Sequence, residues 1–338
     1  MRLSADQTVV LVCEKKSQLM NMHKAFIAEF PDVTFHGITT HSMGPHTFGM
    51  KLSRKMPMSG LPAIAEPVWD VTNQPVYLGC DLQEDTDARA LLRSADVIIC
   101  ATDTDSSGAH AFRNLTRHYL QDPDDLLHFP RLHLMSEATD EIRAAFHEGR
   151  TTADAEFTAL LAAADAKKFF DSCWAANAIP IFSPLMRQAG APQGKLWMSK
   201  YSLQLLFGLK DAGPITESEI LRMMHHWKGT GKYDADPWHA QFAGAATRAA
   251  IILNLKDIGF LEEELEVESG WSKPKKLRIS ASGLGFLELI HPRCRDADLP
   301  FRLADWGRNW PRSRPQIETY IKTFFGRQLR YSSGQRTS

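Results

Sequence analysis

The sequence lacks several features that would assign a protein to a class at once. Its 338 residues contain no run of about 18 apolar residues, so no transmembrane helix is expected. Residues 1–6 have no apolar stretch of the kind found in signal peptides. The five cysteines are scattered and form no CxxC pair, which argues against a disulfide framework and against a zinc ribbon. We therefore expect a cytoplasmic protein without a membrane partner.

An excess of charge of one sign is also missing, because the net charge is only −1. A protein that binds nucleic acid need not be basic overall, but its basic residues should cluster. They cluster in residues 296–338, which we predict to form a basic C-terminal helix and tail. The basic residues there are Arg302, Arg308, Arg312, Arg314, Lys322, Arg327, Arg330 and Arg336. A solvated tail and a segment that contacts phosphate both fit this pattern.

The first 150 residues alternate between strand and helix patterns. Residues 8–13 and 96–101 are short apolar runs typical of buried parallel strands, and residues 132–135 predict a third strand. Apolar residues at three- and four-residue steps predict a helix over residues 15–30. Strands that alternate with helices predict a parallel sheet with right-handed crossovers. The irregular stretch over residues 36–76 is long for a loop and is predicted to wrap the sheet.

Residues 151–295 have a different, mostly helical character. The spacing predicts helices over residues 216–227 and 245–258, a hairpin over residues 260–280, and a further helix over residues 282–290. This order is that of a winged helix-turn-helix, in which the helix before the hairpin meets DNA. A small α+β unit that serves only for packing is the alternative.

Three carboxylates follow the two apolar strands. Glu14 comes directly after the first strand, and Asp103 and Asp105 follow the second. In open α/β sheets, ligands bind outside the carboxyl ends of the strands. Three carboxylates that converge there repel one another unless a hard cation neutralises them, and Mg²⁺ takes oxygen ligands of this kind. The three residues are therefore predicted to be Mg²⁺ ligands and candidate catalytic groups.

These motifs resemble the Toprim domain of type IA DNA topoisomerases, closest to the topoisomerase III branch. Residues 10–18 (VLVCEKKSQ) and 99–108 (ICATDTDSSG) carry the likeness. Similar segments follow in the family's order. They are residues 37–44, 61–69, 131–146, 165–171, 182–186 and 244–252. The resemblance implies a Toprim-like, Rossmann-like α/β domain over residues 1–150 and a winged-helix (CAP-like) domain over residues 151–295, similar to domain IV of these enzymes.

The sequence departs from the family at several positions that carry its chemistry. Ser107 stands where the family has a third carboxylate, Ser106 replaces an arginine, and Ala109 replaces a glutamate. Gln18 stands where one branch has a lysine. The cleavage motif, a tyrosine followed two residues later by arginine, is absent, and the interval over residues 200–213 is too short for the family's gate. Strand passage needs both a phosphotyrosine and a gate.

The resemblance therefore implies a DNA-binding protein that does not pass strands alone and that binds single-stranded or junction DNA, with a separate protein partner to supply the missing functions. The predicted DNA contacts are Lys15, Lys16, Lys200, Arg248, Lys256, Arg312 and Arg314. One alternative is a Toprim nuclease, in which Glu14, Asp103 and Asp105 hold Mg²⁺ while water attacks the phosphodiester. Another is a minimal topoisomerase that uses Tyr201 or another tyrosine.

Overall fold

The computed structural model describes residues 1–40, 58–67, 74–83, 85–120, 128–192, 194, 196–233, 242–264 and 275–335. The chain forms two compact units. The first unit comprises residues 1–46 and 68–165, and the second comprises residues 47–67 and 166–338. The division falls after Asp165, whereas the sequence predicts a boundary near residue 150.

The first unit contains a five-stranded sheet in the order β4-β3-β2-β1-β5. The strands are β1 (Thr8–Cys13), β2 (Thr34–Thr39), β3 (Val76–Leu78), β4 (Asp81–Gln83) and β5 (Val97–Cys100). Strand β1 runs parallel to β2 and to β5, while β3 runs antiparallel to β2 and to β4. The predicted α/β class and the parallel centre of the sheet are confirmed.

Helices cover both faces of this sheet, which explains why β1 reads as a continuous apolar run. The helices of the first unit are α1 (Lys16–Glu29), α2 (Ala88–Ser94), α3 (Ser106–Leu120), α4 (Thr139–Ala145) and the start of α5 (Ala155–Gln188). Val9 and Leu11 pack in one buried cluster with side chains of α1 and α4. Val10 and Val12 pack in a second cluster with side chains of α2 and α3.

Two predictions about the strands differ from the structure. Strand β2 begins at Thr34 and occupies part of the stretch predicted to be irregular. Its apolar pattern is interrupted by Thr34, His36 and Gly37, so the pattern does not predict a strand there. Residues 132–135 form no strand, and the pairing there is a single parallel bridge between Arg131 and Cys100.

The second unit is mostly helical, with a small three-stranded antiparallel sheet in the order β6-β8-β7. Its strands are β6 (Ile215–Thr216), β7 (Leu261–Glu263) and β8 (Lys276–Ile279). Besides the rest of α5, its helices are α6 (Lys200–Leu209), α7 (Glu217–His225), α8 (Ala245–Asp257), α9 (Ala281–Leu289), α10 (Leu299–Arg308) and α11 (Arg314–Gln335). A capping box formed by Thr216 and Glu219 opens α7.

The C-terminal helix α11 belongs to the core of the second unit. Phe324 and Phe325 are buried beside the indole of Trp174, with ring centroids 5.1 Å away in each case. Trp306, on α10, is 5% exposed and lies in the same core cluster, so its ring is not a free platform for stacking. The described helices include none that is long and apolar enough to cross a membrane.

Candidate metal centre

Glu14 and Asp103 lie at the same edge of the sheet because the strands that precede them are parallel neighbours. Val12 in β1 pairs with Cys100 in β5, and the backbone N–H of Ala101 donates to the carbonyl oxygen of Val12 at 2.9 Å. Each carboxylate therefore follows the carboxyl end of its strand, where ligands bind in sheets of this type.

The buried side chain of Gln18 joins these two strand ends. Its Oε1 accepts a hydrogen bond from the backbone N–H of Glu14 at 2.8 Å, and its Nε2 donates to Oδ1 of Asp103 at 3.0 Å. The side chain is 5% exposed, and both partly buried contacts hold the two residues in place. From the sequence, Gln18 is recognisable only as a departure from a lysine in the family that the motifs resemble.

The carboxyl groups of Glu14 and Asp103 form an acidic pair. The pKa of Glu14 is raised from 4.5 to about 7 by burial, by the charges of Asp103 and Asp105 and by a hydrogen bond with Asp103, while Lys15 opposes the rise. Oε1 of Glu14 is buried and has no hydrogen-bond partner among the described residues. A buried carboxylate oxygen without a partner is unfavourable, and a cation at this atom would relieve the cost.

Asp105 takes a different role from the one predicted for it. It is exposed, and its Oδ1 accepts hydrogen bonds from the backbone N–H groups of Ser107 at 2.8 Å and Gly108 at 2.9 Å. It therefore caps the N-terminus of α3. Within the part of the chain that the structure describes, no group of three or more His, Cys, Asp or Glu side chains is placed to hold a metal ion. The structure therefore places Asp105 as a helix cap and joins Glu14 and Asp103 through Gln18, while the three-carboxylate magnesium site stays a prediction.

This pair suits Mg²⁺, which binds through one or two carboxylates and keeps several waters. The unpartnered Oε1 of Glu14 and the carboxylate of Asp103 would hold the ion. Bound there, the ion would supply positive charge for a phosphate oxygen.

Gly108 fixes the position of Asp103 from the other side. A Cβ at this glycine would lie 2.2 Å from the carbonyl oxygen of Asp103 and 2.8 Å from its backbone nitrogen. Only a residue without a side chain lets the first turn of α3 approach the backbone of Asp103 so closely. The glycine in the motif is therefore required for packing against the candidate site.

Three of the predicted DNA contacts are exposed cations. Lys15 and Lys16 directly follow Glu14, and Arg312 precedes α11. The ammonium group of Lys16 lies 5.9 Å from the ring centroid of Tyr77. Lys15 and Lys16 place positive charge in the chain segment that carries Glu14, where a phosphate group would need it.

The structure corrects the prediction for Lys200. This residue is 6% exposed, and its ammonium group forms an ion pair with Asp171. It also lies over the ring of Tyr201, 4.6 Å from the centroid. Lys200 therefore presents no cation at the surface.

The other three predicted contacts are partly engaged within the second unit. Arg248 donates to the carbonyl oxygen of Ala243 at 3.3 Å, and Lys256 lies 3.7 Å from Glu263. Arg314 pairs with Glu66 and, at 3.1 Å, with Glu318. Ion pairs at half-exposed side chains open at low cost, so these cations are less available to phosphate than Lys15 and Lys16.

Tyr201 is a poor candidate for an attacking nucleophile. It is 8% exposed, and its ring packs against Phe242 with a centroid distance of 5.2 Å. Burial raises the pKa of its hydroxyl to about 12, which disfavours the phenolate. A phosphodiester has no access to this side chain.

Comparison with known proteins gives no family assignment. No model of a known protein family matches the sequence, and no curated protein is significantly similar to it.

Proposed function

We propose that this chain binds single-stranded or junction DNA as a relative of the type IA topoisomerases, with Mg²⁺ held on Glu14 and Asp103 of a Toprim-like unit. The observation that carries the proposal is the buried, unpartnered Oε1 of Glu14 beside Asp103, at the carboxyl edge of a parallel sheet. Mg²⁺ there would neutralise a phosphate oxygen, while Lys15 and Lys16 add positive charge nearby.

The architecture of the second unit supports the winged-helix part of the proposal. Strand β6 leads into α7, α8 follows, and β7 and β8 then form an antiparallel hairpin that pairs with β6. This is the element order expected of a winged helix-turn-helix. Arg248 and Lys256, both on α8, are the contacts that this arrangement would bring to DNA.

Two features support binding without strand passage by this chain alone. The interval where the related enzymes carry their gate is occupied by helix α6 (Lys200–Leu209), and nine of its ten residues are buried. The tyrosine within it, Tyr201, is inaccessible. Strand passage requires a covalent intermediate and a gate, so a separate protein partner would have to supply both.

A mobility-shift experiment with and without Mg²⁺ tests the proposal. Labelled single-stranded and junction DNA are incubated with the wild type, with Asp103→Asn, and with Asp32→Asn as the matched control. Asp32 is exposed and precedes β2 at the opposite edge of the sheet. We expect retarded, intact DNA that depends on Mg²⁺ in the wild type and the control and is weakened in Asp103→Asn. Failure to retard either DNA would overturn the proposal.

A Mg²⁺-dependent nuclease is the second candidate, and the Glu14–Asp103 pair favours it because two carboxylates are enough to hold Mg²⁺ against a phosphodiester. In this case the same samples would show cleavage that disappears in Asp103→Asn and persists in Asp32→Asn. Supercoiled plasmid in parallel reactions distinguishes nicking from relaxation. A covalent protein–DNA adduct would instead support a minimal topoisomerase.

A further inference from the structure

The second unit contains a cavity that the proposed metal centre does not explain. Its volume is about 680 Å³, within the range of small-molecule binding sites. It is bordered by the segment after α9 and by α10 and α11. The residues that line it and bear on its chemistry are Tyr233, Arg293, Arg295, Arg302, Tyr320 and Arg327.

The acidic residues of this cavity are already neutralised by neighbouring arginines. Asp296 accepts from Nε of Arg302 at 3.1 Å, and Asp305 lies 3.7 Å from Arg308. Arg302 also donates to the hydroxyl oxygen of Tyr233 at 2.6 Å. The two carboxylates therefore do not compensate the other cationic side chains of the cavity.

Three guanidinium groups are left in excess. Among the described residues, Arg293, Arg295 and Arg327 form no ion pair within 4.0 Å. Nη1 of Arg327 donates to the carbonyl oxygen of Arg293 at 2.9 Å, which holds that guanidinium at the cavity wall. Burial lowers the pKa of the neighbouring His291, and the positive charges of Arg327 and Arg293 lower it further.

An aromatic wall lies beside the arginines. The guanidinium of Arg302 lies 5.2 Å from the ring centroid of Tyr233 and 6.0 Å from that of Tyr320. The hydroxyl of Tyr320 is buried beside Asp296, and burial and the charge of Asp296 raise its pKa.

We propose that this cavity binds a nucleoside monophosphate unit, either free or at the phosphorylated end of a single DNA strand. Three guanidinium groups suit a terminal phosphate, which carries about −1.5 to −2 charge at neutral pH, better than a backbone phosphodiester with a single charge. The ring of Tyr233 lines the cavity and provides a surface for the base, whereas the ring of Tyr320 is packed between Arg302, Trp306 and Phe324. Binding of the free nucleotide does not depend on Glu14 or Asp103 and is therefore tested separately from the proposed metal centre.

Calorimetric titration of the full chain tests this inference with a nucleoside 5′-monophosphate, the matching unphosphorylated nucleoside, and inorganic phosphate as probes. We expect the nucleotide to bind, the nucleoside to bind at least about tenfold more weakly, and Arg293→Gln or Arg295→Gln each to weaken nucleotide binding about tenfold. Phosphate alone should bind more weakly than the nucleotide. Arg278→Gln, which alters an exposed arginine outside the cavity, should leave the affinity unchanged.

A second titration with single-stranded oligonucleotides separates the two sources of the ligand. A preference for a 5′-phosphorylated strand over a 5′-hydroxyl strand, lost in Arg293→Gln, would assign the site to strand ends. Binding of the free nucleotide without that preference would assign it to free nucleotides. Equal affinity for nucleotide and nucleoside, or wild-type affinity in both cavity variants, would overturn the inference even if the chain retards DNA.

Discussion

The acidic pair predicts that the stability of the protein falls as pH rises toward neutrality. The pKa of Glu14 is raised from 4.5 to about 7 in the folded chain. Between these values the folded state binds more protons at this group than the unfolded state, so its contribution stabilises the fold at low pH and is lost as pH rises. The loss is complete above about pH 7, where Glu14 is ionised in both states.

The magnitude follows from the difference between the two pKa values. A rise from 4.5 to about 7 corresponds to an upper limit of about 3.4 kcal/mol. Glu14 is only half-buried, and solvent screening reduces the effect, so we expect about 1–2 kcal/mol. The variant Glu14→Gln lacks the titrating group and should escape this loss.

Urea unfolding of both proteins, with a chelator present, measures the effect. The free energy of unfolding of Glu14→Gln minus that of the wild type should increase by about 1–2 kcal/mol between about pH 5 and about pH 8. Other titrating groups are common to both chains and largely cancel in the difference. In Asp103→Asn the pH dependence that comes from Glu14 should shrink, because a neighbouring charge and hydrogen bond are gone. Parallel curves for the wild type and Glu14→Gln would refute the reasoning.

Three further changes probe the residues that hold the site and its unit together. Gly108→Ala should lower the free energy of unfolding by at least about 1 kcal/mol in urea titrations, because the new Cβ would meet the Asp103 carbonyl oxygen at 2.2 Å. This loss should exceed the gain from the better helix propensity of alanine. Equal or higher stability would contradict the close approach. Gln18→Leu should cost about 1–3 kcal/mol in the same assay through the loss of two partly buried hydrogen bonds, and an unchanged unfolding midpoint would argue against this role. Burial raises the pKa of Asp165, but its hydrogen bonds, foremost from Arg113, outweigh this and lower the pKa to about 2 from 3.8. The wild type should therefore lose stability as pH falls from about 4 toward about 2, and Asp165→Asn should be less stable at neutral pH but lose less on acidification; the same acid sensitivity in both would show that the pair contributes nothing.

The sequence pattern predicts the central part of the first unit well. The apolar runs at residues 8–13 and 96–101 are buried on both faces, so composition alone marks them as strands. Strand β2 escapes this reasoning because His36 and Gly37 interrupt its apolar pattern, and its place is set by pairing with β1 rather than by local preference.

The candidate site is predicted only in part. Glu14 and Asp103 converge because two parallel strands end together, which spacing along the chain anticipates. Asp105 lies close enough for its charge to raise the pKa of Glu14, but its Oδ1 accepts hydrogen bonds from the first backbone N–H groups of helix α3. The prediction that Asp103 and Asp105 point the same way assumes that this segment is extended. This assumption does not hold, because a helix begins directly after Asp105.

The roles of the remaining residues depend on burial and on contacts between distant parts of the chain. Lys200 resembles a surface cation in sequence, but its charge is neutralised by Asp171 on a different helix. Gln18 binds Asp103, which lies 85 residues further along the chain, and the arginines of the cavity come from α10, α11 and the segment before α10. Contacts at such separations leave no local signal in the sequence.

Titration of Mg²⁺ into the metal-free protein by calorimetry at about pH 8, where Glu14 is ionised, tests the central claim most directly. The account predicts one binding event in the wild type and in Asp32→Asn that is abolished in Glu14→Gln and in Asp103→Asn. The same binding heat in the wild type and in Glu14→Gln, or no binding to the wild type, would contradict a metal centre at the carboxyl edge of the sheet.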